Sequence, residues 1–159
     1  MDHEGNREKI YGEDNTNDIS FTCPWKITVT YNDNMYVADV RNNKMEGSVV
    51  VLGHDNIINT YLGHPLVNIE NLQLTPSDLT TTSADNVIVV DMNTCTLHIL
   101  DYSGERLTYI STKDRGIVQN PFSIGLATAG QFNMLYIGTT LKEGRKDKAK
   151  LYKLNFRDC

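Results

Sequence analysis

The sixteen residues Pro76–Asp91, PSDLTTTSADNVIVVD, lie without a gap over Pro24–Asp39, PWKITVTYNDNMYVAD. Seven positions are identical: Pro24/Pro76, Thr28/Thr80, Thr30/Thr82, Asp33/Asp85, Asn34/Asn86, Val37/Val89 and Asp39/Asp91. No other feature constrains the fold as much, because a phrase written twice at a fixed interval marks a structural unit built twice. The likeness continues, with SVVVLGHDNIINTYL (Ser48–Leu62) lying over TLHILDYSGERLTYI (Thr96–Ile110) and sharing Leu52/Leu100, Thr60/Thr108 and Tyr61/Tyr109. A third, weaker copy reads PFSIGLATAGQFNMLYIG (Pro121–Gly138), then AKLYKLNF (Ala149–Phe156). The prolines opening the copies, Pro24, Pro76 and Pro121, are 52 and 45 residues apart.

Each copy is a series of short runs rich in Val, Ile, Thr and Tyr, broken by Asn, Asp and Gly. That is the composition of strands joined by tight turns. Unit one gives KITVTY, NMYVAD, SVVVLG and IINTYL; unit two gives LTTTS, NVIVVD, TLHILD and RLTYI. Four strands of about five residues per repeat is the pattern of a propeller blade. The expectation is therefore an all-β chain, a partial β-propeller of about three four-stranded antiparallel blades at 19–63, 72–112 and 117–157. Unit three stops after its third strand. A polar leader, 1–18, precedes the blades, and its REKIYG (Arg7–Gly12) resembles INTYLG (Ile58–Gly63), so an outer blade strand is expected at 7–12.

The order proline, apolar strand, NxxVxD, xLxILD and SGxxL resembles the NHL repeat. PSDLTTTSADNVIVVDMNTCTLHILDYSGE is similar to the C-terminal propeller of tripartite-motif (TRIM)-like proteins, and the resemblance spans about Ile19–Phe156. The Asn-His-Arg triplet usual in that family after the strand-ending Asp reads Thr94-Cys95-Thr96 in unit two, and in unit three the Asp itself is Gly138. Six-bladed rings are the rule in the family, so three units correspond to half of one. The chain is then either a partial gene product or one half of a homodimer completing the ring. The resemblance also implies a non-catalytic role: protein binding, as the substrate-recognition arm of a TRIM-like ubiquitin ligase. Ligase chemistry belongs to a Cys/His-rich zinc RING, which Cys23, Cys95 and Cys159 cannot build. Some similar propellers bind RNA.

Charge points to where a partner would sit. The formal net charge is −5, but residues 1–18 carry six acids against two bases, so the body is nearly neutral. In a propeller, loops between second and third strands and loops between blades share one face. That face should hold Arg41, Lys44, Lys113, Arg115, Lys142, Arg145, Lys146 and Lys148, against Glu46, Glu70, Asp114, Glu143 and Asp147. The opposite face collects Asp33, Asp55, Asp85, Asp101 and Glu105, with Arg106 as its base. The basic face is the candidate binding face, since such an asymmetry orients charged partners. Its densest run, KEGRKDKAK, makes RNA the alternative ligand, although interleaved acids dilute phosphate attraction and no aromatic residue lies between the cations to stack bases.

No catalytic constellation is legible. His3, His54, His64 and His98 lack the spacing of metal ligands, so neither metal nor cofactor is expected, and a metal-dependent propeller hydrolase is the enzyme rival. His98 alternates within its strand and is expected to face outward. The recurrent Asp39 and Asp91 read as anchors for turn N–H groups, and Pro24, Pro76 and Pro121 as strand starters. The opening residues lack the charged and apolar regions of a signal peptide, no apolar run approaches the roughly 18 residues of a membrane span, and the cysteines are few and scattered. A cytoplasmic protein is the expectation.

Overall fold

The computed structural model of the chain describes residues 9–12, 19–129, 132–141, 144 and 146–157. These fold into eleven strands in three antiparallel sheets, each following the chain. Sheet 1 is β1 (Pro24–Val29), β2 (Met35–Val40), β3 (Gly47–Leu52) and β4 (Ile57–Tyr61). Sheet 2 is β5 (Pro76–Thr81), β6 (Val87–Asp91), β7 (Thr96–Leu100) and β8 (Arg106–Ser111). A single 3-10 turn, Lys113–Arg115, leads to sheet 3, made of β9 (Asn120–Ala129), β10 (Phe132–Thr140) and β11 (Leu151–Phe156). Among the described residues no helix is long and apolar enough to cross a membrane.

The repeat is reproduced in register. Pro24 pairs with Asp39 and Pro76 with Asp91, each followed by a bulge; Ile27 then pairs with Val37 and Leu79 with Val89. The first turns match as well. Asp33 and Asp85 adopt left-handed φ values of 61° and 65°, which Asp tolerates better than most residues, and each donates its N–H to the threonine three positions earlier.

The sheets stack in chain order around two cores. Tyr36, Ala38, Val49 and Val51 of sheet 1 meet Leu79, Val87, Val89 and Leu100 of sheet 2. On its other face sheet 2 presents Ile88, Val90, Leu97 and Ile99 to Leu135, Ile137 and Phe156 of sheet 3. The middle sheet is thus covered on both sides, and Val87, Ile88, Val89 and Val90 are all completely buried. Burying each such side chain contributes about 1.5–3 kcal/mol. Polar ties hold the first strands together: Thr28 Oγ1 lies 2.9 Å from Thr81 Oγ1, and the half-exposed Trp25 donates its indole N–H to Ser77 O at 3.2 Å. Asp78 accepts the N–H of Ile124 at 2.9 Å, tying sheet 2 to sheet 3.

Two expectations are corrected. His98 does not face outward: it lies opposite Val89, on the face that sheet 1 covers, and is fully buried. A strand sandwiched between two sheets has no outward face, so its alternation cannot be read as inside and outside. Nor do residues 9–12 form a strand. Tyr11 and Gly12 make a bend, and Tyr11, Ile19 and Phe21 pack on Val37, Val50 and Leu52, covering the outer face of sheet 1. Arg7 and Glu8 lie outside the described residues.

The stacking of sheets 1 and 2 can be checked with the double variant Thr28→Cys/Thr81→Cys. Mild oxidation should form an intrachain link between positions 28 and 81, identified by peptide mass spectrometry, as the 2.9 Å side-chain contact requires. A chain in which this link never forms would contradict that packing.

Candidate functional site

The most concentrated polar structure in the chain centres on Asp91, the last residue of β6, whose carboxylate is wholly buried. Its Oδ1 accepts the N–H of Thr75 at 3.1 Å, fixing the chain just before β5. Its Oδ2 accepts from Asn68 Nδ2 at 2.6 Å and Thr94 Oγ1 at 2.7 Å, and lies 3.4 Å from His98 Nε2. The other imidazole nitrogen, Nδ1, is 3.0 Å from the Tyr61 hydroxyl. A proton on Nε2 satisfies both ends: the carboxylate accepts from Nε2–H, and Nδ1 accepts from Tyr61. Burial works to raise the Asp91 carboxyl, but the bonds from His98, Thr94 and Asn68 outweigh it and hold the group below its ordinary 3.8. Burial pushes the Tyr61 phenol up to about 12, against a lowering by Arg106.

The same position in unit one works alike, since Asp39 Oδ1 accepts the N–H groups of Thr22 and Cys23 at 2.9 and 2.7 Å. The recurrent Asp therefore anchors the backbone entering each of the first two sheets. In sheet 3 Gly138 occupies the place, and a Cβ there would lie 2.3 Å from Ser123 Oγ. Asp91 alone adds a histidine and a tyrosine. The carboxylate–imidazole–hydroxyl order is that of a proton relay, but His98 and Asp91 expose no surface and burial makes the Tyr61 phenol a still weaker acid, so the group is first of all an internal anchor.

What the Asp91 cluster does reach is the β4–β5 loop, residues 62–75. Asn68 receives the N–H of His64 on its Oδ1 at 2.8 Å while its amide donates to Asp91. His64 O in turn accepts from Val67 and Asn68, and its imidazole Nδ1 accepts from Leu66 N at 3.0 Å. The ring packs edge-on against Tyr109 with centroids 4.5 Å apart, and burial, then Arg106 and His98, hold its pKa below 6.5. Gly63 is required by this turn: its φ is 108°, and a Cβ would sit 2.4 Å from Asn68 Oδ1. The loop so fastened turns apolar side chains to solvent: Leu66 is 80% exposed and Ile69 53%, with Leu62 and Leu72 also exposed.

The end of the sheets that carries this loop also carries the expected cations, on three separate segments. Arg41 and Lys44 are exposed in the β2–β3 turn, where Arg41 bonds Ser48 Oγ at 2.9 Å. Lys113 and Arg115 are exposed on the 3-10 turn, and Lys146 and Lys148 before β11; Lys142 and Arg145 lie outside the described residues. Among the described residues no ion pair neutralises Lys44, Lys113, Arg115, Lys146 or Lys148. Lys113 borders a cleft of about 120 Å³, with Asn93, Cys95, Val118, Gln119, Asn120, Thr140 and Leu141. Val118 is exposed, so apolar and cationic groups alternate across this end.

At the opposite end the acids are engaged in holding turns. Asp85 accepts Tyr31 N at 2.5 Å, Asp101 accepts Ser103 N, Ser103 Oγ and Glu105 N, and Asp55 pairs with Lys9 at 2.5 Å. Sequence reasoning found the cations but missed Leu66, Ile69, His64 and Asn68. The β4–β5 loop falls between the aligned segments, so the repeat gave it no signal. Among the described residues no group of three or more His, Cys, Asp or Glu side chains is arranged to hold a metal ion.

No family model matches this chain, and no curated protein does. Among solved structures it is similar to a protein of unknown function from Bacteroides caccae, with a TM-score of 0.44 and 11% identity. The match covers 82% of this chain and 45% of the other, so the chain spans less than half of that protein's length.

Removing the Asp91 carboxylate by Asp91→Ala should destabilise the chain in urea unfolding by about 1–3 kcal/mol for each buried donor it leaves unpaired, those of His98 and Asn68 among them. Thr94→Ala, which removes one donor, should cost about 1 kcal/mol. The carboxyl is lowered in the folded state, so its stabilisation is full above the unfolded value of 3.8 and drains as pH falls through the lower folded one. Asp91→Asn should flatten that acid limb of the stability profile.

Proposed function

We propose that this chain is a β-propeller binding module, its three sheets being consecutive blades. The face carrying the β4–β5 loop takes a protein partner, in the way the resemblance to the recognition arm of TRIM-like ubiquitin ligases implies, and the chain performs no catalysis of its own. The observation that carries the reading is the β4–β5 loop, where Leu66 and Ile69 are exposed on a turn pinned from below by a buried carboxylate. Apolar side chains displayed on a rigid support lose little entropy on docking, and contiguous exposed apolar groups mark interaction surfaces. Lys113 and Arg115, without an ion partner among the described residues, and the exposed Val118 add to the same end of the sheets, so the matching partner segment is apolar with acidic flanks. The NHL repeat and TRIM-like identity remain part of this proposal, supported by the repeat motifs and the four-stranded sheets.

The test is capture of partners from a lysate of the source cell, with nuclease present, by the wild-type chain and by Leu66→Asp/Ile69→Asp. Both side chains are exposed, so the variant should keep its unfolding midpoint while losing captured protein by tenfold or more. Equal capture by the two chains would overturn the reading. Loss of all capture on nuclease treatment would replace the protein partner with RNA.

A further inference from the structure

His64 is buried in the β4–β5 loop, and the bonds around it fix its protonation state. Its Nδ1 accepts the N–H of Leu66 at 3.0 Å. An imidazole nitrogen accepts only when it carries no proton, so the ring is neutral here, with its proton on Nε2. Pro65 has no N–H, which makes Leu66 the first donor after the histidine, and among the described residues the imidazole is its acceptor. A side chain that closes a turn by accepting the N–H two residues on is ordinarily that of Asn or Asp. Here a titratable ring has that task, and the residue it holds is Leu66, 80% exposed on the loop.

The surroundings of the ring disfavour a second proton. Burial is the largest cause, followed by the charge of Arg106 on β8 and by His98 on β7; the carbonyl of His64 itself works the other way. Tyr109, also on β8, packs edge-on against the ring, and Tyr61 at the end of β4 has its hydroxyl bonded to His98. On β6, Asp91 has its oxygens taken by Thr75, Asn68, Thr94 and His98, and none of these bonds goes to His64. A protonated Nδ1 would moreover turn a donor toward the Leu66 N–H. Two donors would then face one another, and an unmet buried donor costs more than a made bond gains. A second proton therefore requires the loop to move.

We propose that the β4–β5 loop is a proton-operated latch: when His64 Nδ1 takes a proton the Leu66 N–H is released, so the apolar surface is presented at neutral pH and withdrawn in acid. The consequence for a partner rests on the reading of this loop as the binding surface; the latch itself does not. His64 titrates below 6.5 in the closed loop and at about 6.5 once exposed in an open one. Closure is therefore fully favoured above 6.5, weakens as pH falls below that value, and stops changing once the closed form is itself protonated. The Asp91 carboxyl loses its charge only below 3.8, so the tie between Asp91 and Asn68 stays intact over this range.

Amide exchange of Leu66, corrected for its intrinsic rate, tests the latch when the His64 Cε1 proton is followed by NMR in the same samples. Protection of Leu66 should fall about fivefold or more between about pH 7.5 and pH 5 and level off below the His64 midpoint, while amides of β2 and β10 keep theirs. His64→Asn offers a non-titrating oxygen for the same bond, so it should hold Leu66 at neutral pH and keep holding it in acid. Arg106→Gln, at an exposed position, should move the His64 midpoint up toward 6.5 and shrink the acid loss. Capture of lysate protein by the wild-type chain should decline in step with Leu66 protection, and capture by His64→Asn should not. Leu66 protection unchanged across the His64 titration would overturn the latch, as would a His64 midpoint at or above 6.5. An equal acid loss in His64→Asn would overturn it too, by assigning the release to His98 or Asp91. A latch that opens while capture stays constant overturns the loop's role as the binding surface and leaves the latch standing, so the two failures are told apart.

Discussion

The buried carboxylate of Asp91 is the constraint around which the middle of this chain is organised. An ionised group with no exposed surface is tolerable only when its acceptor sites are filled, and here four residues from three segments supply partners: Asn68 and Thr75 in the β4–β5 loop, Thr94 after β6 and His98 in β7. Through His98 the network extends to Tyr61 at the end of sheet 1. A single side chain thereby joins two sheets and the connection between them. Since each bond is made only in the folded arrangement, the group specifies the path of the loop as much as it stabilises it.

That division explains the contrast between the two ends of the stack. At the end bearing the acidic turns, charge is spent internally, because Asp85 and Asp101 hold backbone N–H groups and Asp55 holds Lys9. At the other end the internal work falls to the buried Asp39 and Asp91, which leaves Lys44, Lys113 and Arg115 without ion partners among the described residues and the loop's leucine and isoleucine turned outward. A face whose structure is secured from beneath can present groups that do nothing for the fold, which is the condition a binding surface requires.

Much of the architecture was legible in the repeat. Pairing of Pro24 with Asp39 and of Pro76 with Asp91 follows from one motif used twice, and the matching turns at Asp33 and Asp85 follow from the same phrase. The legible part stops where residues act through non-repeated partners. His98 stands where unit one has Val50, and a lone polar residue in an alternating strand looks exposed until sheet 1 is known to cover it. Asn68 and His64 belong to a loop outside the aligned segments, so nothing in the period marked them as ligands of Asp91. Tyr11 resembled part of a strand by its neighbours' identity, yet it sits in a bend and packs on Val37 and Val50.

The central claim is that Asp91 holds the β4–β5 loop in the shape that its exposed residues use. Amide hydrogen exchange of Val67 and Asn68, whose N–H groups bond His64 O, reads that shape directly. Asp91→Asn should speed exchange at these two amides by about tenfold or more while amides of β1 and β2 keep their protection, as local release of one segment demands. Unchanged protection at Val67 and Asn68, or a uniform loss across all strands, would contradict it.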